Sequence, residues 1–121
     1  MLSHQPHMQD RVLTQCILDC LDCRQTCLET VLYCLNTGGK HAESAQLRLL
    51  YDCIDICQTS ADFMLFGSEM HAQICTSSAA ICERCAQGCD EFADDPRMQA
   101  CAEMCRRCAA SCRHMGMKQA A

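Results

Sequence analysis

Apolar residues and cysteines recur every three or four positions along almost the whole chain, and the recurrence breaks at three places. Gly38-Gly39 is the first break, Phe66-Gly67-Ser68 the second and Asp94-Asp95-Pro96 the third. At the third, Asp95 is placed as an N-cap with Pro96 at the first helical position. A period of 3.6 over long stretches free of proline specifies amphipathic helices. The pattern predicts helices over about 8–37, 41–66, 68–92 and 96–115 of a single domain spanning 1–121. Breaks of a few residues make consecutive helices antiparallel neighbours. The predicted fold is all-α, an up-down-up-down antiparallel four-helix bundle with a cysteine-lined core.

The cysteines themselves keep the helical rhythm. In helix 1 they are Cys16, Cys20, Cys23, Cys27 and Cys34; in helix 2, Cys53 and Cys57. Helix 3 carries Cys75, Cys82, Cys85 and Cys89, and helix 4 carries Cys101, Cys105, Cys108 and Cys112. Steps of 3, 4 and 7 describe a heptad seam, the mark of helices packed at a shallow left-handed angle. Other soft or polar residues continue the seam: Thr30, Leu50, Ser60, Met64, His71, Ser78, Met98 and Met115. Beside it run apolar flanks, with Ile17, Leu21, Leu28 and Leu35 in helix 1. Helix 2 has Leu49, Ile56 and Phe63 on one side and Leu47, Ile54 and Leu65 on the other. These flanks are expected to seal helix against helix. The arc they form on helices 1 and 2 is wider than a lone bundle needs, which predicts self-association.

Composition changes the picture in one respect. Among 121 residues there are 15 Cys and 8 Met but only 2 Tyr, 3 Phe and no Trp, so sulfur replaces the usual aromatic filling. The net charge of −5, with no basic stripe, argues against a nucleic-acid partner. No apolar run approaches the ~18 residues of a membrane span. MLSHQPHMQDRV shows no charged segment followed by an apolar one, so no signal peptide is expected and the predicted setting is cytoplasmic. Thiols there stay reduced, and dense cysteine points to metal or catalysis rather than to a disulfide framework. An odd count also forbids a fully paired monomer.

Three uses of the thiols compete with simple packing. Disulfides within a helix are excluded, because residues at i and i+3 or i+4 have Cβ atoms ~5–6 Å apart whereas a disulfide needs ~3.5–4.5 Å. A thiol redox enzyme would place Cys-x-x-Cys at a helix N-terminus, where the thiol pKa falls; here these motifs sit within helices. Zinc prefers isolated tetrahedral sets, and iron–sulfur clusters prefer loops. Cu(I) is soft, selects thiolate and thioether, and accepts two ligands. With metal–sulfur bonds near ~2.3 Å, two sulfurs across one ion stand about 4.5 Å apart, which suits the pairs at i and i+4. Six such pairs occur: Cys16/Cys20, Cys23/Cys27, Cys53/Cys57, Cys85/Cys89, Cys101/Cys105 and Cys108/Cys112. Multiple Cu(I) ions per chain are therefore the predicted cargo. A zinc or mixed thiophilic-metal buffer is the alternative, and a thiol redox enzyme a more distant one.

Antiparallel order also brings four helix ends together. The start of helix 1 (His4, His7, Met8), the end of helix 2 (Met64), the start of helix 3 (Met70, His71) and the end of helix 4 (His114, Met115, Met117) share one end, whereas the other has His41 and Met98. Met64, His71 and Met115 continue the cysteine seam and are the predicted loading ligands at that mouth.

Three stretches resemble a known family: GGKHAE at 38–43, LLYDCIDICQTSADFML at 49–65 and CAEMCRRCAASC at 101–112. With the Cys-x3-Cys pairs on four helices, they make the chain similar to the cytosolic branch of bacterial cysteine-rich copper storage proteins. The resemblance implies a bundle packed with Cu(I) thiolates, assembly into a homotetramer, a role in copper homeostasis, and no catalysed chemistry. A copper chaperone is the delivery partner to look for. Thr30, Ser60 and Ser78 stand where such proteins can carry further thiols.

Overall fold

The computed structural model describes the backbone of residues 8–120 and the side chains of residues 11–117. Four long helices dominate: α1 (Met8–Thr37), α2 (Ser44–Phe66), α3 (His71–Asp90) and α4 (Pro96–Ala120), with no strand among the described residues. Each helix packs on the next in chain order and α4 closes back on α1, while the backbones of the diagonal pairs α1/α3 and α2/α4 stay apart and meet only through side chains at the axis. This is an up-down-up-down four-helix bundle. No helix of the described residues is long and apolar enough to cross a membrane.

The breaks act through backbone chemistry. Gly67 adopts φ 74°, a left-handed conformation that glycine enters without a Cβ penalty, and ends α2. The N–H of Ser68 then reaches the carbonyl of Phe63 at 3.0 Å, and that of Gly67 reaches Met64 at 3.2 Å, so two terminal carbonyls of α2 are satisfied. After Gly38 the chain makes a 3-10 turn over Gly39–Ala42, which delays α2 to Ser44. At the third break Asp95 Oδ1 accepts the N–H groups of Arg97 (2.9 Å) and Met98 (3.3 Å), the N-cap arrangement its position before Pro96 predicts. Helix α4 runs on past residue 115, and at Gly116 it lies close against α3. A Cβ there would stand 2.3 Å from Thr76 Oγ1.

The seam is the core. All fifteen cysteines are buried and unbridged, along with Leu50, Met64, Met98 and Met115. Small residues, Ala79, Ala86, Ala102 and Ala109, are buried with them and let the helices draw close. The flanks differ from expectation. Ile54 is buried, and Ile17, Leu21 and Leu47 pack partly against the core, but Leu28, Leu35 and Leu65 are exposed. Two neighbours per helix suffice to cover the seam and its near flank, so the far flank of α1 has no helix to face. Leu18 and Leu32 join it, leaving an apolar α1 surface unpartnered among the described residues.

Candidate metal centre

Because the heptad seams face one axis, successive levels in the bundle bring sulfurs from two or more helices together. At the mouth, Cys16, Cys75 and Cys112 form one group; Cys20, Cys108 and Cys112 form the next. Deeper lie Cys23, Cys53, Cys57 and Cys82, and then Cys23, Cys27, Cys53 and Cys105. Within each group the sulfurs lie within 4.8 Å of one another. Cys112 belongs to both outer groups, and Cys23 and Cys53 to both inner ones, so the groups are linked rather than separate. The column continues through Cys27 and Cys101, 4.0 Å apart.

The closest sulfur contacts run mainly between helices rather than between the i, i+4 pairs within one. Cys20–Cys112 is 3.5 Å, Cys53–Cys82 3.6 Å, Cys23–Cys53 3.7 Å and Cys57–Cys82 3.7 Å. Of the six i, i+4 pairs, Cys53–Cys57 and Cys108–Cys112 make such a contact, each at 4.0 Å. The reason is geometric: Cβ atoms one turn apart start ~5–6 Å apart, whereas seam positions on facing helices point at each other across a narrow axis. Cys85 and Cys89 are buried in the same column, and Gln46 donates its amide N–H to Cys89 at 3.7 Å. Ser78, standing at a seam position, bridges Cys82 (3.9 Å) and Cys112 (3.6 Å) through its hydroxyl.

The metal-free column holds neutral thiols. Anions so far from water would carry an uncompensated desolvation cost. Burial pushes the Cys34 thiol up to about 11, with the charge of the Asp95 carboxylate adding to the effect. Cys75 is pushed upward by its contacts with Cys112 and Cys16 and by burial. A monovalent soft cation that replaces each thiol proton leaves the interior charge unchanged.

Met64 and Met115 are buried and His71 is half-buried. His71 Nδ1 lies 2.8 Å from the Ser68 carbonyl, which can only accept, so Nδ1 carries the proton and Nε2 presents its lone pair. That Nε2 is buried and has no hydrogen-bond partner. A ligating imidazole has this arrangement, one nitrogen donating to a carbonyl and the other free. Met70, His114 and Met117 are exposed, and His4, His7 and the side chain of Met8 lie outside the described residues.

Three features were not foreseen. Asp19 is buried between Cys16 and Cys20 on α1, where it accepts hydrogen bonds from Ser111 on α4 and from Gln15 at 3.0 Å. Asp95 serves as far more than a cap: its Oδ2 accepts the Tyr33 hydroxyl at 2.7 Å and His41 Nε2 at 2.8 Å. Met98 Sδ lies 3.7 Å from Cys34 Sγ. The last was legible in principle, since Met98 stands in seam register three residues before Cys101.

A helical bundle whose axis is a continuous column of free thiols defines a class of protein that houses soft metal ions within its core. The chain belongs to the copper storage protein family, whose sequence profile matches residues 9–117. The Nmul_A1745 protein of Nitrosospira multiformis is similar in structure, with 42% identity and a TM-score of 0.85 over 90% of this chain and 98% of that one. The Cu(I)-bound copper storage protein BsCsp3 is 35% identical, with a TM-score of 0.81 over 87% of this chain and 98% of that one. The uncharacterized cysteine-rich protein YhjQ of Bacillus subtilis is 37% identical over 83% of this chain and 92% of its own length.

Proposed function

We propose that this chain stores Cu(I) in the cytosol, the whole chain acting as one unit and binding many ions through its core thiolates without catalysing a reaction. The linked column of fifteen buried thiols carries the reading. The ligands are the cysteines already named, with Met64, His71 and Met115 as capture residues at the mouth. Soft sulfur selects Cu(I), and one thiolate per ion keeps the dry core neutral. Shared thiolates bridge neighbouring ions, so capacity approaches one ion per thiol, on the order of ten to fifteen. Anaerobic Cu(I) titration of the reduced protein against a chromophoric chelator tests this. Saturation near one or two ions would refute it.

The four-thiol groups also favour a second reading, a zinc or mixed-metal buffer, because four sulfurs suit tetrahedral zinc. Charge separates the two: a divalent ion among four thiolates leaves two negative charges in the core, and sharing Cys23 and Cys53 relieves this only in part. Competition of Cu(I) with Zn(II), followed by metal analysis, decides between them. Exposed Leu28, Leu32 and Leu35 on α1 support a homotetramer formed through that face.

A further inference from the structure

The column does not end at its last cysteine group. Cys34 stands one heptad beyond Cys27, at the end remote from the mouth, and both Cys34 and Met98 are fully buried. The Cys34 thiol donates to the Met98 thioether at 3.7 Å. Among the described residues no cysteine sulfur lies in hydrogen-bond range of Cys34; its soft partner is a thioether from the facing helix.

The pair is held from outside by one carboxylate. Asp95 Oδ1 accepts the backbone N–H of Met98 (3.3 Å), and Oδ2 accepts the hydroxyl of Tyr33, the neighbour of Cys34 in α1 (2.7 Å). Asp95 thus fixes the start of α4, which carries the thioether, against the end of α1, which carries the thiol. His41 adds a third contact to the same carboxylate and packs against Phe92, with ring centroids 4.2 Å apart and the rings tilted by 42°.

Resting on the storage reading above, we propose that Cys34 and Met98 form a discrete terminal Cu(I) site at the closed end of the bundle, with mixed thiolate–thioether ligation. When Cu(I) arrives, the Cys34 S–H proton leaves to solvent and the S–Cu bond takes its place, while Met98 Sδ supplies a lone pair. No electrons are transferred. Charge gives the site its character. An ion between two thiolates carries a net charge of −1 and needs a further cation to share, whereas thiolate, Cu(I) and thioether sum to zero. A single ion can therefore sit at the end of the column, where there are no further thiolates to bridge, without an uncompensated buried charge. Two metal–sulfur bonds near ~2.3 Å require the sulfurs to part to about 4.5 Å. The unbranched methionine, with three rotatable bonds, can yield by that amount.

The test uses the full, reduced chain labelled with 13C at the methionine ε-methyl groups and titrated anaerobically with Cu(I), with total bound copper measured by chelator in the same samples. Met98→Leu identifies the Met98 methyl signal. The expected result is a new Met98 methyl position on loading, and retention of the metal-free position throughout the titration in Cys34→Ser. An unmoved signal at copper saturation, or an equal movement in Cys34→Ser, would overturn the terminal site while leaving storage intact. Failure to bind many ions at all would remove both. Met98→Leu conserves volume and gives an independent reading. One ion of its complement should pass to a chelator at least about tenfold faster, since disturbing even an outer partner of a metal ligand costs that much in affinity; unchanged release would count against the site.

Discussion

The two ends of the bundle treat the same chemistry in opposite ways. At the closed end, the single carboxylate of Asp95 takes hydrogen bonds from Tyr33, His41 and two backbone N–H groups of α4, and Arg97 lies 5.4 Å over the Tyr33 ring. The Nε2 of His41 is engaged by Asp95. At the mouth, the Nε2 of His71 is buried with no partner, and so is the hydroxyl of Ser60. Buried polar atoms are normally paired, and exceptions ask for a reason. The contrast supports the proposed division of labour, in which the Asp95 end stays shut and copper is captured at the end that holds His71. Stability should therefore be concentrated at one end and metal uptake at the other.

The largest effect expected from this division is at Asp95. Asp95→Ala removes a helix cap, worth roughly 0.5–2 kcal/mol, and takes the carboxylate acceptor from the half-buried Tyr33 and His41, where hydrogen bonds to a charged group are worth about 1.5–3 kcal/mol when fully buried and less here. Urea unfolding of the metal-free protein should show a loss of about 3 kcal/mol. His71→Ala, at the other end, should cost under about 1 kcal/mol, since it breaks one exposed-side contact to Ser68 and relieves an unpaired nitrogen. Equal losses at the two positions would dissolve the comparison.

The mouth should dominate in kinetics. Replacing Met64 and Met115 by Leu and His71 by Ala together should slow Cu(I) uptake from a chelator by about tenfold, the scale at which metal sites respond to altered ligation. Final capacity should fall by no more than about three ions, because the thiolate column is untouched. An unchanged rate would mean that ions enter elsewhere and that these residues only pack.

How much of this could be read from the chain alone follows from range. Helix period and breakers are local, so the four helices, the seam and the cap of Asp95 were all legible. The partners of Asp95 were not: Tyr33 and His41 lie 62 and 54 positions away. The sulfur network had the same difficulty. A Cys-x3-Cys pair is visible within one helix, but whether Cys53 meets Cys82 depends on the axial register of α2 against α3, which the spacing within either helix does not contain. The flanks failed differently. Leu28 and Leu35 lie on an apolar stripe at helical spacing, and a stripe of that kind reads the same whether a neighbouring helix or another protein covers it.

Proton linkage gives a smaller effect, specific to the closed end. In the metal-free protein the Cys34 thiol is raised from 9.0 to about 11. Its neutral form is favoured by the fold, so its contribution is fully present below pH 9 and is lost as pH rises from 9 through 11, where the unfolded chain has released a proton that the folded chain retains. Cys34→Ser should flatten the fall in stability over that window by about 1 kcal/mol at pH 10. Loading with Cu(I), which removes the proton beforehand, should flatten it as well. A fall that is equally steep in wild type and Cys34→Ser would place the alkaline sensitivity among the other thiols.

The smallest effect concerns two serines on the seam. Ser78 and Ser60 are both fully buried at positions where a cysteine would fit the rhythm. Ser78 Oγ has sulfur partners in Cys82 and Cys112, whereas Ser60 Oγ has none. An unpaired buried hydroxyl costs about 1–3 kcal/mol, and truncation to alanine removes that cost while leaving a gap of only one atom. Ser60→Ala should therefore leave the metal-free protein unchanged or more stable by up to about 1 kcal/mol. Ser78→Ala should destabilise it by about 0.5–1 kcal/mol, because it breaks weak but real contacts to two thiols. The pair is read by urea unfolding under reducing conditions. The sharper variant is Ser60→Cys, which replaces the unpaired hydroxyl by a thiol in seam register near the mouth. It should raise Cu(I) capacity by about one ion if the column extends toward Met64. A Ser60→Cys protein that folds normally and binds no more copper than wild type would show that the column stops short of that level.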